Sequence, residues 1–114
     1  MMTMTGGQLL RIFLGELDKV HGQPLFEAIL AAAQKEGLAG ATVLRGLESF
    51  GSTRQVHSAK VLRLAQQLPL VVEIVDSEEK IQTFLPVVDD LMSTAKSGGL
   101  VTLENVQMRA YSSE

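Results

Sequence analysis

Apolar and polar residues alternate near the start of the chain and predict a strand over residues 9–14. Leucine and isoleucine occupy its even positions, which would share one face of a sheet. Leu9 and Phe13 are apolar as well and belong to the opposite face. Both faces of this strand therefore need cover from other parts of the protein.

The pattern then changes to a helical period. Residues 24–36 carry apolar residues three and four positions apart, begin with Pro24 and are followed by Gly37. Proline is favoured in the first turn of a helix, and glycine readily adopts the left-handed conformation that ends one. These residues predict a helix that stops at Gly37.

Two more apolar runs predict strands over residues 41–47 and 70–75, and the second of them is entered through Pro69. Between these strands, residues 47–58 have little apolar content and no clean period, so they predict a long loop. Loops of this length often bind ligands or move.

A second helix is predicted after Asp76, which forms with Glu79 the sequence pattern of a capping box. Pro86 lies inside the helical pattern and predicts a kink or an interruption, because proline lacks the backbone donor that a helix interior uses. The predicted buried stripe of this helix comprises Ile81, Phe84, Leu85, Val88 and Met92.

Gly98 and Gly99 precede a final apolar stretch whose apolar positions change parity along the chain. Such a change predicts a bulge or a break near Glu104 and Asn105.

The order strand, helix, strand therefore occurs twice in 114 residues. It predicts an α+β fold, the ferredoxin-like split βαβ sandwich, in which both helices cover one face of a four-stranded antiparallel sheet. The partly apolar second face predicts a homo-oligomer. We expect one domain over residues 9–111, with a flexible N-terminus over 1–8 and a flexible C-terminus over 112–114.

Composition narrows the classes of function. A hydrophobic content of 46% suits a packed core, and a net charge of -3 argues against nucleic-acid binding, which needs clustered Lys and Arg. The absence of cysteine excludes disulfides and thiolate metal ligands. No signal peptide or long apolar run is present in the sequence, so we expect a cytoplasmic protein without direct membrane insertion.

No arrangement of residues indicates catalysis, and we expect no enzyme. The neighbouring carboxylates Asp89 and Asp90 would point apart on a helix. His21 and His57 are the only histidines, and neither has an acidic pair at helical spacing, so a metal site within one subunit is not predicted. We interpret His21 as a turn or capping residue; a metal shared between subunits stays open.

Four segments of the chain are distinctive when taken together, namely residues 21–29, 37–46, 68–76 and 99–106. Together they closely resemble a family of small bacterial and archaeal PII-like proteins. The resemblance implies a GlnB-like ferredoxin fold, a homotrimer whose sheets face its centre, and ligand sites in clefts between subunits. It implies further that the ligand is a small anion, with an adenine nucleotide as the candidate, and that an enzyme or a membrane channel or transporter is the partner.

The resemblance also implies which residues bind ligand. Arg45 and Gly46 would lie at the base of the long loop, Gly98 and Gly99 near the phosphate-binding turn, and Arg109 near the terminal basic residues. Lys96 would add positive charge beside the glycines.

Each of these assignments has a simpler alternative. The two glycines suit an ordinary turn after a helix. Arg45 could instead form an ion pair across an oligomer interface, with Glu48 or Glu73 as its partner.

The loop over residues 49–58 is the expected surface for a partner protein, with ligand contacts shifting the population of its conformers. It contains no tyrosine, unlike the loop that PII proteins use for uridylylation. The alternative function is a metal-responsive or structural trimer similar to the copper-tolerance proteins of the same fold, which His21 and Met108 support. The candidate residues of the loop are Ser49, Phe50, Gly51, Arg54 and His57.

Overall fold

The computed structural model describes residues 3–46, 48–50, 56–58 and 68–111, with backbone alone for 48–50 and 56–58. The helices are α1 (Leu25–Lys35) and α2 (Glu78–Ala95). The strands are β1 (Thr5–Gly15), β2 (Lys19–Val20), β3 (Gln23–Pro24), β4 (Thr42–Arg45), β5 (Glu48–Phe50), β6 (Val56–Ser58), β7 (Pro69–Asp76) and β8 (Leu100–Met108).

The main sheet has four strands in the order β4-β7-β1-β8, and every neighbouring pair is antiparallel. Helices α1 and α2 pack together over one face and close a core with the sheet. The predicted ferredoxin-like split βαβ sandwich is confirmed. No helix in the described part of the chain is long and apolar enough to cross a membrane.

The core uses one face of the sheet. On β1 the even-numbered residues Leu10, Ile12 and Leu14 are at most 5% exposed, and they pair with a matching set on β7. The odd-numbered residues form the outer face, which the helices do not cover, and Leu9, Arg11 and Phe13 of this face are only partly buried. The two-sided apolar character read from the sequence is therefore real, and the helices cover the even set.

Helix α1 ends as predicted. Gly37 has φ +80°, and the backbone N–H groups of Gly37 and Leu38 donate to the carbonyls of Gln34 and Ala33. This pair of bonds is the Schellman arrangement, which needs a residue that tolerates the left-handed conformation.

Helix α2 does not begin with the predicted capping box. Its N-cap is Ser77, whose hydroxyl accepts from the backbone N–H of Lys80 at 3.3 Å. The carboxylate of Asp76 accepts instead from the backbone N–H groups of Ser77 and Ala39. Asp76 therefore ties the start of α2 to the connection after α1, a long-range role that outweighs the local motif.

Of the two outcomes predicted at Pro86, a kink or an interruption, the interruption is wrong, since α2 runs unbroken across the proline. Pro86 and Gln82, whose carbonyl loses its helical donor, both lie on the exposed side. Water can satisfy that carbonyl there, so the helix tolerates the proline.

The predicted bulge in the last strand is also wrong. β1 and β8 pair one to one from Thr5 with Met108 to Phe13 with Leu100. The apolar residues change parity because β8 contributes to the core with Val101 and to the outer face with Val106. The same pairing brings residues 5–8, expected in a flexible N-terminus, into the sheet.

Candidate functional site

The antiparallel order gives the sheet two distinct ends. At the end that we call the site end, β1 and β4 finish while β7 and β8 begin. Arg45 is the last residue of β4 and Gly46 follows it there, and Lys96, Gly98 and Gly99 precede β8 there. Five of the six predicted ligand residues therefore share one end of the molecule.

These five residues nevertheless form two groups. β4 and β8 are the opposite edge strands of the sheet, and β7 and β1 lie between them. Three steps between strands correspond to about 14 Å. We call the groups the Arg45 half-site, which is Arg45 and Gly46, and the Gly99 half-site, which is Lys96, Gly98 and Gly99.

The sixth predicted residue, Arg109, is not brought to either half-site. It follows Met108 at the far end of β8. The nine residues of β8 separate it from Gly99 by roughly 30 Å within one chain.

In the Arg45 half-site, the guanidinium of Arg45 forms an ion pair with Glu16. The side chain of Arg45 is 60% exposed and that of Glu16 is 20% exposed. The expected alternative partner Glu73 pairs with Arg11 instead, and the side chain of Glu48 lies outside the described residues. Arg45 thus has an ion-pair partner within one subunit, a carboxylate that sequence reasoning did not identify, and the pair across an interface stays a prediction.

Gly46 lies against Pro69 of the neighbouring strand. Its backbone N–H donates to the Pro69 carbonyl at 2.8 Å, and a Cβ at this position would come within 2.9 Å of the Pro69 ring. Packing alone therefore explains why a glycine follows Arg45.

A short turn after β1 connects the two half-sites. The backbone N–H of Glu16 donates to the carbonyl of Leu68 at 2.9 Å, while the carboxylate of Asp18 accepts from the backbone of Gly15 and the hydroxyl of Ser97. Glu16 therefore contacts the Arg45 half-site, and Asp18 contacts the chain beside Gly99. Closely spaced acidic residues after a glycine were the only sequence signal for this role.

The Gly99 half-site is shaped by close packing. The backbone of Gly99 lies against the carbonyl of Phe13, and an added Cβ would also meet the Met92 methyl group at 2.8 Å. Lys96 ends α2 in the left-handed conformation with φ +55°, where glycine is usual. The turn interpretation explains the backbone of this segment, while the exposed Lys96 keeps a cation beside it.

The segment expected to contact a partner contains a hairpin. Ser49 pairs with His57 and Phe50 pairs with Val56, in a two-stranded sheet of its own. Gly51 and Arg54 lie outside the described residues.

The outer face carries an apolar row across all four strands, in which Leu44, Val71, Phe13 and Leu100 are successive register partners. Leu100 is 61% exposed and Leu44 is 49% exposed in the single chain. The row lies next to the site end of the sheet.

Beside this row, Arg11 forms ion pairs with Glu73 at 2.9 Å and with Glu104. The hydrogen bond to Glu73 is the main cause of a raised pKa of Arg11, against the effect of burial, and Glu104 adds to it. Arg11 therefore keeps its charge on a face that is otherwise partly apolar.

His21 is a turn residue, as expected. His21 and Gly22 have φ +49° and +79° and form the two-residue loop between β2 and β3. His21 lies near the site end, whereas Met108 pairs with Thr5 at the opposite end, so one subunit does not bring this pair together. The described residues contain no group of three or more His, Cys, Asp or Glu suited to a metal ion.

Solved structures share this fold. The PII-like nitrogen regulatory protein CPII from Thiomonas intermedia K12, bound to ADP, AMP and bicarbonate, aligns with a TM-score of 0.72 at 16% identity and covers 93% of this chain and 91% of CPII. A protein from Thermus thermophilus described as a PII-like signaling protein aligns with a TM-score of 0.65 at 17% identity over 94% of this chain and 93% of its own. The fold is PII-like.

Sequence comparison gives the family. The family DUF190, described as "Uncharacterized ACR", matches residues 7–108, and the chain belongs to it. A UPF0166 protein of Aquifex aeolicus is 39% identical over 107 residues, which is 94% of this chain and 97% of that protein. A UPF0166 protein of Methanocaldococcus jannaschii is 35% identical over 100 residues, 88% of this chain and 89% of its own.

Proposed function

We propose that this protein is a cytoplasmic, trimeric, PII-like regulator that binds an adenine nucleotide in the clefts between its subunits. The carrying observation is that both half-sites lie at one end of the sheet but on opposite edge strands, about 14 Å apart. The Arg45 half-site of one subunit would meet the Gly99 half-site of the next. A ring of copies completes every site in this way.

The outer face supports self-association. Each large apolar side chain of the row around Phe13 contributes about 1.5–3 kcal/mol when it becomes fully buried. A contact that covers Leu44 and Leu100 removes the two most exposed members of this row from water. Three copies are the number that the PII-like resemblance implies.

The ligand chemistry follows from charge and access. Arg45 presents a planar donor fork that suits phosphate or carbonate oxygens, and Lys96 adds a second cation from the neighbouring subunit. The bound ADP, AMP and bicarbonate of the similar CPII structure are anions of this kind. Occupancy would reach a partner enzyme, channel or transporter through the segment that begins after Gly46. Nothing in this mechanism requires catalysis.

A thermal-shift measurement of the purified oligomer tests ligand binding. The panel contains ADP, AMP, cyclic nucleotides, 2-oxoglutarate and bicarbonate, and a ligand at 100 times its Kd stabilises the native state by about 2.7 kcal/mol. We expect ADP or AMP to raise the Tm of the wild type and of Lys35→Ala, which removes a cation from the opposite end, but not of Arg45→Ala. No shift with any compound would overturn the proposal.

Trypsin tests the response of the segment that follows Gly46. Arg54 is a cleavage site within the segment. We expect ADP to change the rate of cleavage after Arg54 in the wild type and not in Arg45→Ala. Equal rates with and without saturating ADP would contradict signalling through this segment.

A further inference from the structure

Glu16 forms an ion pair with Arg45, the cation that the proposed ligand needs. Its carboxylate is the ion-pair partner of Arg45, and its side chain is only 20% exposed. A carboxylate and a phosphate use the same donors of an arginine fork. Glu16 takes the Nη2 group of Arg45, so an anion that binds the fork through this group competes with Glu16 for it.

The backbone limits how far Glu16 can follow a displaced Arg45. The Glu16 N–H is bonded to the carbonyl of Leu68 at 2.9 Å, and the next turn residues are held through Asp18 by Gly15 and Ser97. When an anion takes the guanidinium, Glu16 keeps its place and loses its charge partner. Separation of a largely buried carboxylate from its cation opposes binding.

We propose that Glu16 is an internal competitor for the anion site at Arg45, which lowers the affinity of the empty protein for its ligand. This inference rests on the proposed function and adds to it the residue that regulates the site. Only anions that bind Arg45 more strongly than Glu16 does would then occupy the cleft.

The same residue couples the site to the base of the following segment. Glu16 contacts Arg45 through its side chain and Leu68 through its backbone, while Gly46 donates to the carbonyl of Pro69. These contacts hold the two chain ends that flank residues 47–67. Release of Arg45 from Glu16 changes one of the contacts at this base.

Calorimetric titration with ADP, at fixed pH and salt, tests the competition. Glu16→Gln keeps the shape of the side chain and removes its charge, so we expect its Kd for ADP to fall about two- to fivefold, the range for loss of a partly exposed ion pair. Glu36→Gln makes the same change of net charge at the opposite end of the molecule and should leave the Kd unchanged.

The outcomes separate the two proposals. Binding by the wild type with an unchanged Kd in Glu16→Gln would overturn the competitor and leave the nucleotide site standing. Binding by neither protein would overturn both. If Glu16→Gln does not fold, Glu16→Asp provides the test, because its shorter carboxylate reaches Arg45 less well. We expect the Kd of Glu16→Asp for ADP to be lower than that of the wild type. An unchanged Kd in this variant would overturn the competitor.

Discussion

The backbone of Gly99 packs directly against the carbonyl oxygen of Phe13, at a separation that leaves no room for a Cβ. This contact joins the start of β8 to the strand at the centre of the core. The glycine is therefore required by the fold of the single chain, whether or not its N–H contacts a ligand.

Gly99→Ala should destabilise the protein by about 1–3 kcal/mol, the usual cost of forcing extra volume into close packing. Chemical denaturation of the purified protein measures the change. Gly40→Ala is the matched control, because no atom lies within 4 Å of the position a Cβ would take there. Equal stability of the two variants would contradict the packing assignment.

Lys96 tests the cost of the left-handed turn at the end of α2. A side chain at φ +55° costs roughly 1 kcal/mol relative to glycine, so Lys96→Gly should be more stable than Lys96→Ala by about that amount. Both variants lose the same charge, and thermal unfolding compares them directly. We expect both variants to bind ADP more weakly than the wild type does. Wild-type affinity in both would show that Lys96 does not contribute to the ligand site.

A substitution in the outer apolar row should prevent association of the subunits without unfolding them. Leu100→Glu places a charge on the exposed outer face and should convert the oligomer to a folded monomer. Light scattering gives the mass, and circular dichroism reports the fold. Leu103→Glu is the comparison on the other face of the same strand, at 38% exposure, and should leave the oligomer assembled. An oligomer that survives Leu100→Glu would exclude the row from the interface.

Periodicity predicted the helices and strands of the sandwich because the core requires it. Alternation along β1 placed Leu10 and Ile12 together, and helical spacing placed Ile81 and Phe84 together; all four are fully buried. Periodicity did not reveal which face of a two-sided strand the helices cover, since that depends on packing between distant elements.

Local motifs were less reliable where distant residues compete for the same group. Asp76 reads as a helix cap, but its carboxylate is bonded to Ala39, and Ser77 takes the capping position. The sequence offered Glu48 and Glu73 as ion-pair partners of Arg45, whereas its observed partner Glu16 lies in a turn 29 residues away. Only the sheet order shows that the predicted ligand residues form two half-sites, because the residue pattern within one segment does not report which strands lie at the edges.

Mixed oligomers test most directly whether the site is shared between subunits. Arg45→Ala and Lys96→Ala each impair a different half-site, so we expect neither pure oligomer to bind ADP with wild-type affinity. A trimer that contains both variants has one boundary at which an intact Arg45 half-site faces an intact Gly99 half-site, so it regains about one site. Titration of oligomers refolded from an equal mixture should therefore recover ADP binding, at about one quarter of the wild-type number of sites per subunit. Absence of binding in mixtures shown to contain both subunits would contradict a site built between subunits.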